Sequence, residues 1–125
     1  MRVLILAPVI FPCGGDLRYQ GIERLVFYWA SGLTQQGHQV SVASAEGSAF
    51  PRNIEHIRVP RGDFVQGELV AYGIYRRELQ GKDIILDFTH SHFAMRELAL
   101  PAMCWCWHTP ATMQPPLPGY NVLAL

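Results

Sequence analysis

The sequence lacks the marks of several large protein classes. Ten lysine and arginine residues balance ten aspartate and glutamate residues, so there is no basic excess for binding a nucleic-acid backbone. Three cysteines, an odd number without regular spacing, predict reduced thiols rather than a disulfide framework. No apolar run reaches the ~18 residues of a membrane-spanning helix. We therefore expect no nucleic-acid partner and a cytoplasmic location, with peripheral attachment to the inner face of the membrane as the alternative.

Apolar residues are plentiful, at 50% of the 125 residues, which is enough for the core of one domain. Residues 3–7 form a continuous apolar run that is too short for a helix and is typical of a strand covered on both faces. A signal peptide is the alternative for this segment. Pro8 and Pro12 interrupt the run, and no small-residue cleavage site follows it closely, so we favour the strand.

The rest of the chain alternates between strand and helix patterns. Further strands are predicted over residues 40–43, 57–59, 84–86, 102–107 and 120–125, and helices over residues 22–33, 63–79 and 93–98. In the second helix, Asp63 is the predicted N-cap, and the predicted apolar stripe consists of Val65, Leu69, Tyr72, Tyr75 and Leu79. Such alternation predicts an α/β fold with a doubly wound parallel sheet.

Ligands of open parallel sheets bind beyond the carboxyl ends of the strands, so the loops after the strands are the informative ones. The loop after the first strand contains Cys13, Gly14 and Gly15, and a helix begins near Gly21. Glycines and a helix N-terminus favour contact with a phosphate. The spacing matches neither the dinucleotide fingerprint nor a P-loop, and an ordinary flexible loop is the alternative.

Histidines follow two neighbouring strands. His90 and His92 come after the fourth predicted strand, and His108 and Thr109 come after the fifth. Histidine exchanges protons near neutral pH, so this grouping indicates a site, although a single histidine is more often an ordinary hydrogen-bonding residue.

A zinc site is the competing interpretation of the fifth strand. Cys104, Cys106 and His108 alternate along it, so with His90 or His92 they offer nitrogen and sulfur ligands. Buried cysteine also behaves as a small hydrophobic residue, and no second pair stands at finger-like spacing. We therefore predict no metal.

In order and spacing, these segments resemble a known family. The opening strand, the glycine loop, Gly21-Ile22-Glu23-Arg24 at a helix start and the Gly37-His38 turn are similar to the beginning of GT-B glycosyltransferases of the retaining family 4 type. Asp83-Ile84-Ile85 followed by Asp87 resembles the family's fourth strand, and Trp107-His108-Thr109-Pro110 resembles the exit of its fifth.

The resemblance implies a two-domain enzyme with its active site in a cleft. Residues 1–125 would be a single Rossmann-like, acceptor-side N-terminal domain, and the C-terminal donor-binding domain would be absent. His108 matches a catalytic histidine near the reacting sugar. Substrate-binding positions implied by the resemblance or by the loop pattern are Gly15, Gly21, Glu23, His90, His92 and Thr109.

Two positions differ from the family pattern. Gln20 replaces the first of the paired glycines before the helix, and Leu86 and Phe88 stand where the family often has histidine. His90 or His92 would then take over that role, or the acceptor differs.

The implied reaction transfers a hexose from a nucleotide-diphosphate sugar to an acceptor hydroxyl with retention, and it needs no cofactor besides that donor substrate. The expected partners are the nucleotide sugar, the acceptor, and the missing C-terminal domain or a partner subunit; formation of a homo-oligomer stays open. One alternative is a non-enzymatic module that binds a sugar or nucleotide and is completed by a partner chain. A small flavodoxin-like nucleotide binder is a third interpretation.

The resemblance predicts that the isolated 125-residue chain has no transferase turnover, because transition-state stabilisation in a cleft requires both walls. The measurement is sugar transfer from a nucleotide sugar by the purified chain. Detectable transfer would overturn this expectation.

Overall fold

The structure, a computed structural model, describes residues 1–14, 21–97 and 103–106. Its strands are β1 (Arg2–Leu6), β2 (Gln39–Ala45), β3 (Glu55–Val59), β4 (Ile84–Asp87) and β5 (Met103–Cys106). Its helices are α1 (Gly21–Gln35), α2 (Phe64–Tyr75), which continues into a 3₁₀ turn (Arg76–Leu79), and α3 (Phe93–Glu97). This element order confirms the predicted alternation. The strand predicted over residues 120–125 lies outside the described residues.

The five strands form one parallel sheet in the order β3-β2-β1-β4-β5. The chain runs from β1 outward through β2 to β3, then crosses back to β4 on the other side of β1. The direction of winding therefore reverses between β1 and β4. Helix α1 packs with one hydrophobic cluster, and α2 and α3 pack with the other. The fold is thus an α/β, Rossmann-like, doubly wound sheet, as predicted.

The central strand β1 contributes to both cores. Val3 and Ile5 belong to the cluster that includes Val26 of α1, whereas Leu4 and Leu6 belong to the cluster on the α2 side. Alternate side chains of a strand point to opposite faces, so a continuous apolar run is needed when helices cover both. This explains why β1 has no polar residue between Val3 and Leu6.

Helix α1 ends where the sequence predicts. Gly37 has a φ of 92°, and the His38 N–H donates to the Leu33 carbonyl at 3.1 Å, which forms the hydrogen bond of a glycine-terminated helix end. With 15 residues, α1 is shorter than the ~20 residues needed to cross a bilayer. No helix among residues 21–97 is both long and apolar enough for such a span.

The predicted apolar stripe of α2 is wrong in its first two turns. Val65 and Leu69 are 61% and 53% exposed, whereas Glu68 is buried. The inward side of α2 and its 3₁₀ extension consists of Glu68, Ala71, Tyr72, Tyr75 and Leu79. Glu68 turns inward because its carboxylate accepts hydrogen bonds from the loop after β4. Asp63 occupies the N-cap position, but its side chain makes no capping hydrogen bond.

Two glycines bring the start of α2 against the loop that precedes it. A Cβ atom on Gly67 would lie 2.7 Å from the carbonyl carbon of Gly62 and 3.1 Å from Val9 Cγ2. The Gly62 N–H also donates to the Val9 carbonyl at 3.1 Å. This contact joins the β3–α2 connection to the loop after β1, and it requires glycine at position 67 because no side chain fits there.

We therefore predict that G67A destabilises the protein by about 1–3 kcal/mol, because the added methyl must displace backbone atoms. Gly73 on the same helix has no atom within 4 Å of a built Cβ, so G73A is the matched control. It should stabilise the protein by about 0.5–1 kcal/mol through helix propensity. Chemical denaturation measures both, and equal effects of the two substitutions would contradict the close packing at Gly67.

Candidate functional site

The candidate site lies at the carboxyl ends of β1 and β4, where the winding of the sheet reverses. Parallel sheets leave a crevice at such a point because the two adjoining loops turn to opposite faces. Here the adjoining segments are residues 7–14 after β1 and residues 88–92 after β4. Two of the predicted site residues, His90 and His92, are in the second segment.

Asp87, the last residue of β4, organises the loop that follows. Its side chain is buried, and Oδ1 accepts hydrogen bonds from the Thr89 N–H at 2.9 Å and from Thr89 Oγ1 at 2.6 Å. An aspartate that binds the backbone two residues ahead forms a local turn. Thr89 Oγ1 in turn accepts from the His92 N–H at 3.2 Å. Asp87 therefore determines the backbone path from β4 to His92.

The second oxygen of Asp87 faces the imidazole of His92. Asp87 Oδ2 and His92 Nδ1 are 3.3 Å apart, an ion-pair distance, although the geometry is not that of a hydrogen bond. Among the described residues, Oδ2 has no hydrogen-bond partner. A carboxylate beside one ring nitrogen orients the ring and favours a particular tautomer. Asp87 is thus suited to orient His92 as well as to shape its loop.

His92 has an uncommon backbone conformation. Its φ is 53°, in the left-handed region that few residues other than glycine adopt, although histidine, asparagine and aspartate are enriched there. Its N–H is bound by Thr89, and its carbonyl accepts from the Arg96 N–H at 3.2 Å. Uncommon conformations persist where surrounding contacts hold them, and they are concentrated at functional sites.

Glu68 holds the same loop from the α2 side. It is 2% exposed; Oε2 accepts the His90 N–H at 2.9 Å, and Oε1 accepts the Ser91 N–H at 2.7 Å. Sequence analysis missed this residue. The sequence indicates Glu68 only through its helical spacing from Ala71, Tyr72 and Tyr75. The predicted apolar stripe contained the neighbouring Leu69 instead, which would leave Glu68 outside the core.

The charges of both carboxylates, Asp87 and Glu68, act on the hydroxyl of Tyr75. Burial raises the pKa of its hydroxyl far above the ordinary value, and the nearby charges of Asp87 and Glu68 raise it further. The phenol therefore stays protonated at any physiological pH.

The predicted pair of histidines is brought together on this loop. His90 is half-buried, and its ring makes a T-shaped contact with the ring of Phe64, with centroids 4.9 Å apart. His92 is 8% exposed and lies beside Asp87. Both therefore belong to one hydrogen-bonded segment at the switch point, the place between β1 and β4 where the winding reverses. The ring of His90 contacts Phe64, and the ring of His92 contacts Asp87.

On the β1 side, Gly21 and Glu23 lie in the first turn of α1. A Cβ on Gly21 would have no described atom within 4 Å, so the space beside the helix start is open among these residues. Glu23 is 7% exposed. Its charge is close enough to raise the pKa of Cys13. The two predicted positions are therefore adjacent to the loop after β1.

Cys13 is buried, and the loop around it is anchored by the loop after β2. Its N–H donates to Ser48 Oγ at 2.8 Å, and its carbonyl accepts the Ala49 N–H at 3.0 Å. Ser44 Oγ donates to Ser48 Oγ at 3.0 Å and is 2.8 Å from His56 Nε2. Because the Ser44 proton is directed to Ser48, His56 Nε2 is the donor in its contact with Ser44. Burial chiefly lowers the pKa of His56.

Several predicted residues lie outside the described part of the chain. They are Gly15, His108 and Thr109. The side chains of Cys104 and Cys106 in the zinc interpretation also lie outside it. Where the structure does describe side chains, no three histidine, cysteine, aspartate or glutamate residues gather in a way that would hold a metal ion.

No protein-family model matches the chain, and no curated protein matches it at a significant level.

The environment of Cys13 predicts an unreactive thiol. Burial raises its pKa from 9.0 to about 12, and the charge of Glu23 adds to the shift. Because the folded pKa is above the unfolded one, the neutral thiol stabilises the fold below pH 9, and this stability is lost as the pH rises toward 12. In a C104S/C106S background, alkylation of folded protein at pH 9 should be at least about a hundredfold slower than in denaturant. Equal rates would contradict the burial of Cys13.

Proposed function

We propose that this chain is the acceptor-side domain of a retaining GT-B glycosyltransferase that transfers a hexose from a nucleotide-diphosphate sugar to an acceptor hydroxyl. The main support is the pair of histidines, His90 and His92, held on one loop at the switch point of a Rossmann-like sheet. Ligands of such sheets bind at this point. The order of sequence motifs quoted above supports the same assignment.

The chemistry of the β4 loop suits neutral sugar hydroxyls better than phosphate. Two buried carboxylates bind the loop: Asp87 accepts from Thr89, and Glu68 accepts from His90. Their negative charge disfavours a second anion nearby. Imidazole nitrogens can both donate to and accept from hydroxyl groups. We assign the β4 loop to the sugar and acceptor hydroxyls on this basis.

The start of α1 suits the diphosphate of the donor. The first turn of a 15-residue helix carries a partial positive charge, and its N–H groups have no acceptor within the helix. None of the described residues fills the space beside Gly21, where a phosphate would approach. Glu23 and Gly15 are proposed as substrate-binding positions on the sequence pattern alone.

His92 is the described residue best placed for proton transfer. Asp87 beside Nδ1 would keep the ring oriented so that Nε2 meets the acceptor hydroxyl. His108 and Thr109, which the family resemblance assigns to the reacting sugar, are proposed to complete this wall of the cleft. A donor-binding second domain or a partner subunit would supply the opposite wall.

The direct test uses the protein expressed from its complete reading frame. Uridine, guanosine and adenosine diphosphate hexoses are offered with a panel of hydroxyl acceptors, and release of the nucleoside diphosphate is measured. Acceptor-dependent release supports the proposal. Binding of a nucleotide sugar without any turnover would favour the non-enzymatic module, and absence of both binding and release would refute the transferase assignment.

A substitution at His92 tests its role. H92N removes the imidazole but keeps a residue that tolerates the left-handed backbone. Loss of acid–base assistance should lower kcat/KM by about 10²–10⁴-fold. H38N is the matched control, because His38 precedes β2 and therefore lies at the amino ends of the strands, away from the candidate site. If H92N keeps wild-type turnover while its thermal stability is unchanged, His92 takes no part in proton transfer.

A further inference from the structure

Helix α2 turns a carboxylate toward the interior at a position where an apolar residue would ordinarily pack. Glu68 is 2% exposed, on the same side of the helix as Ala71, Tyr72 and Tyr75. Burying a carboxylate is costly unless hydrogen bonds replace its lost water. The position of Glu68 therefore calls for a specific compensating contact.

That contact is with the backbone of the loop after β4. The two carboxylate oxygens accept the N–H groups of consecutive residues, His90 at 2.9 Å and Ser91 at 2.7 Å. One carboxylate can serve two neighbouring donors because each of its oxygens is an acceptor. A glutamine has a single acceptor oxygen, and its NH₂ group would face the second N–H. The arrangement is therefore selective for glutamate.

The same loop is held at its other side by β4. Asp87 Oδ1 binds both the backbone and hydroxyl of Thr89, and Thr89 Oγ1 binds the His92 N–H. The N–H groups of residues 90, 91 and 92 thus donate to side-chain oxygens rather than to the backbone of a helix or a strand. The loop conformation depends on these side chains, because no regular backbone ladder holds it.

Helix α2 is itself a firm support for this contact. Its first turn is packed backbone to backbone through Gly67 and Gly62, and Tyr72 and Tyr75 are buried in the core. A displacement of Glu68 would therefore require movement of the helix. Because both oxygens are engaged and the side chain is almost wholly buried, Glu68 has no surface with which to contact a substrate.

From this geometry we infer that Glu68 is a positioning residue that fixes the backbone at His90 and Ser91. Together with the contacts of Asp87 and Thr89, it thereby helps to place the rings of His90 and His92. The catalytic consequence rests on the proposed function, whereas the structural consequence does not. Glu68 acts through the loop and takes no direct part in the transfer of a proton or a sugar.

The structural consequence is tested by amide hydrogen exchange, resolved by NMR, in E68Q and wild-type protein. The amides of His90 and Ser91 should exchange about tenfold faster or more in E68Q, because one charge-assisted hydrogen bond is lost. Amides of β1, β2 and β4 should keep their wild-type rates. E78Q removes the same charge from the adjacent 3₁₀ turn and should leave His90 and Ser91 unchanged. Unaltered exchange in E68Q, or equal acceleration throughout the sheet, would overturn the inference.

A measurement on the unmodified protein covers the case in which E68Q does not fold. His90 and Ser91 lie outside every helix and strand, and the acceptors of their amides in the structure are the two oxygens of Glu68, so both amides should exchange slowly. Protection of both amides supports the contact with Glu68. Exchange of both at the rate of an unstructured peptide would refute it.

The catalytic consequence is measured with the protein from its complete reading frame. E68Q should lower kcat/KM for transfer about tenfold or more, whereas E78Q should stay within about twofold of wild type. Faster loop exchange with unchanged transfer would overturn the link between Glu68 and the site. If wild-type protein transfers no sugar, the proposed function fails, and amide exchange alone then decides whether Glu68 positions the loop.

Discussion

The fold depends on the burial of β1 on both faces and along both edges. Its backbone pairs with β2 on one side and β4 on the other, and its side chains enter two separate hydrophobic clusters. Burial of apolar surface on two faces supplies a large part of the stabilisation of such a sheet. Because the winding reverses between β1 and β4, the carboxyl end of the same strand borders the place where ligands of such sheets bind.

The region where the winding reverses combines buried polar groups with hydrogen-bond partners for most of them. Asp87 and Glu68 are both buried there. Glu68 accepts two backbone N–H groups of the loop that carries the histidines, and Asp87 accepts one backbone N–H and the hydroxyl of Thr89. The cost of burying charge is thus offset by contacts that order the loop. Asp87 Oδ2 has no hydrogen-bond partner among the described residues and lies beside His92, so its charge acts on the candidate site.

Local sequence patterns predicted the elements well where one physical cause dominated. The apolar run of β1 and the glycine at the end of α1 led to correct assignments, since two-sided burial and a left-handed backbone each have a clear signature. The prediction that Val65 and Leu69 of α2 face the core was wrong. Apolar spacing alone cannot show that a buried carboxylate will find hydrogen-bond donors in the core. His90 and His92 were correctly expected on one loop, but their supports were not.

By itself, the sequence determined the order of strands and helices, the doubly wound parallel class and the segments that face the carboxyl edge. Those properties follow from hydrophobic periodicity and turn residues, which act over a few neighbouring positions. Only the tertiary structure decided that Glu68, 22 residues before His90, accepts its N–H, that Gly67 meets Gly62, and that Asp87 faces His92. Contacts of this kind depend on how a helix is rotated against the sheet, and that rotation is set by packing across the whole domain.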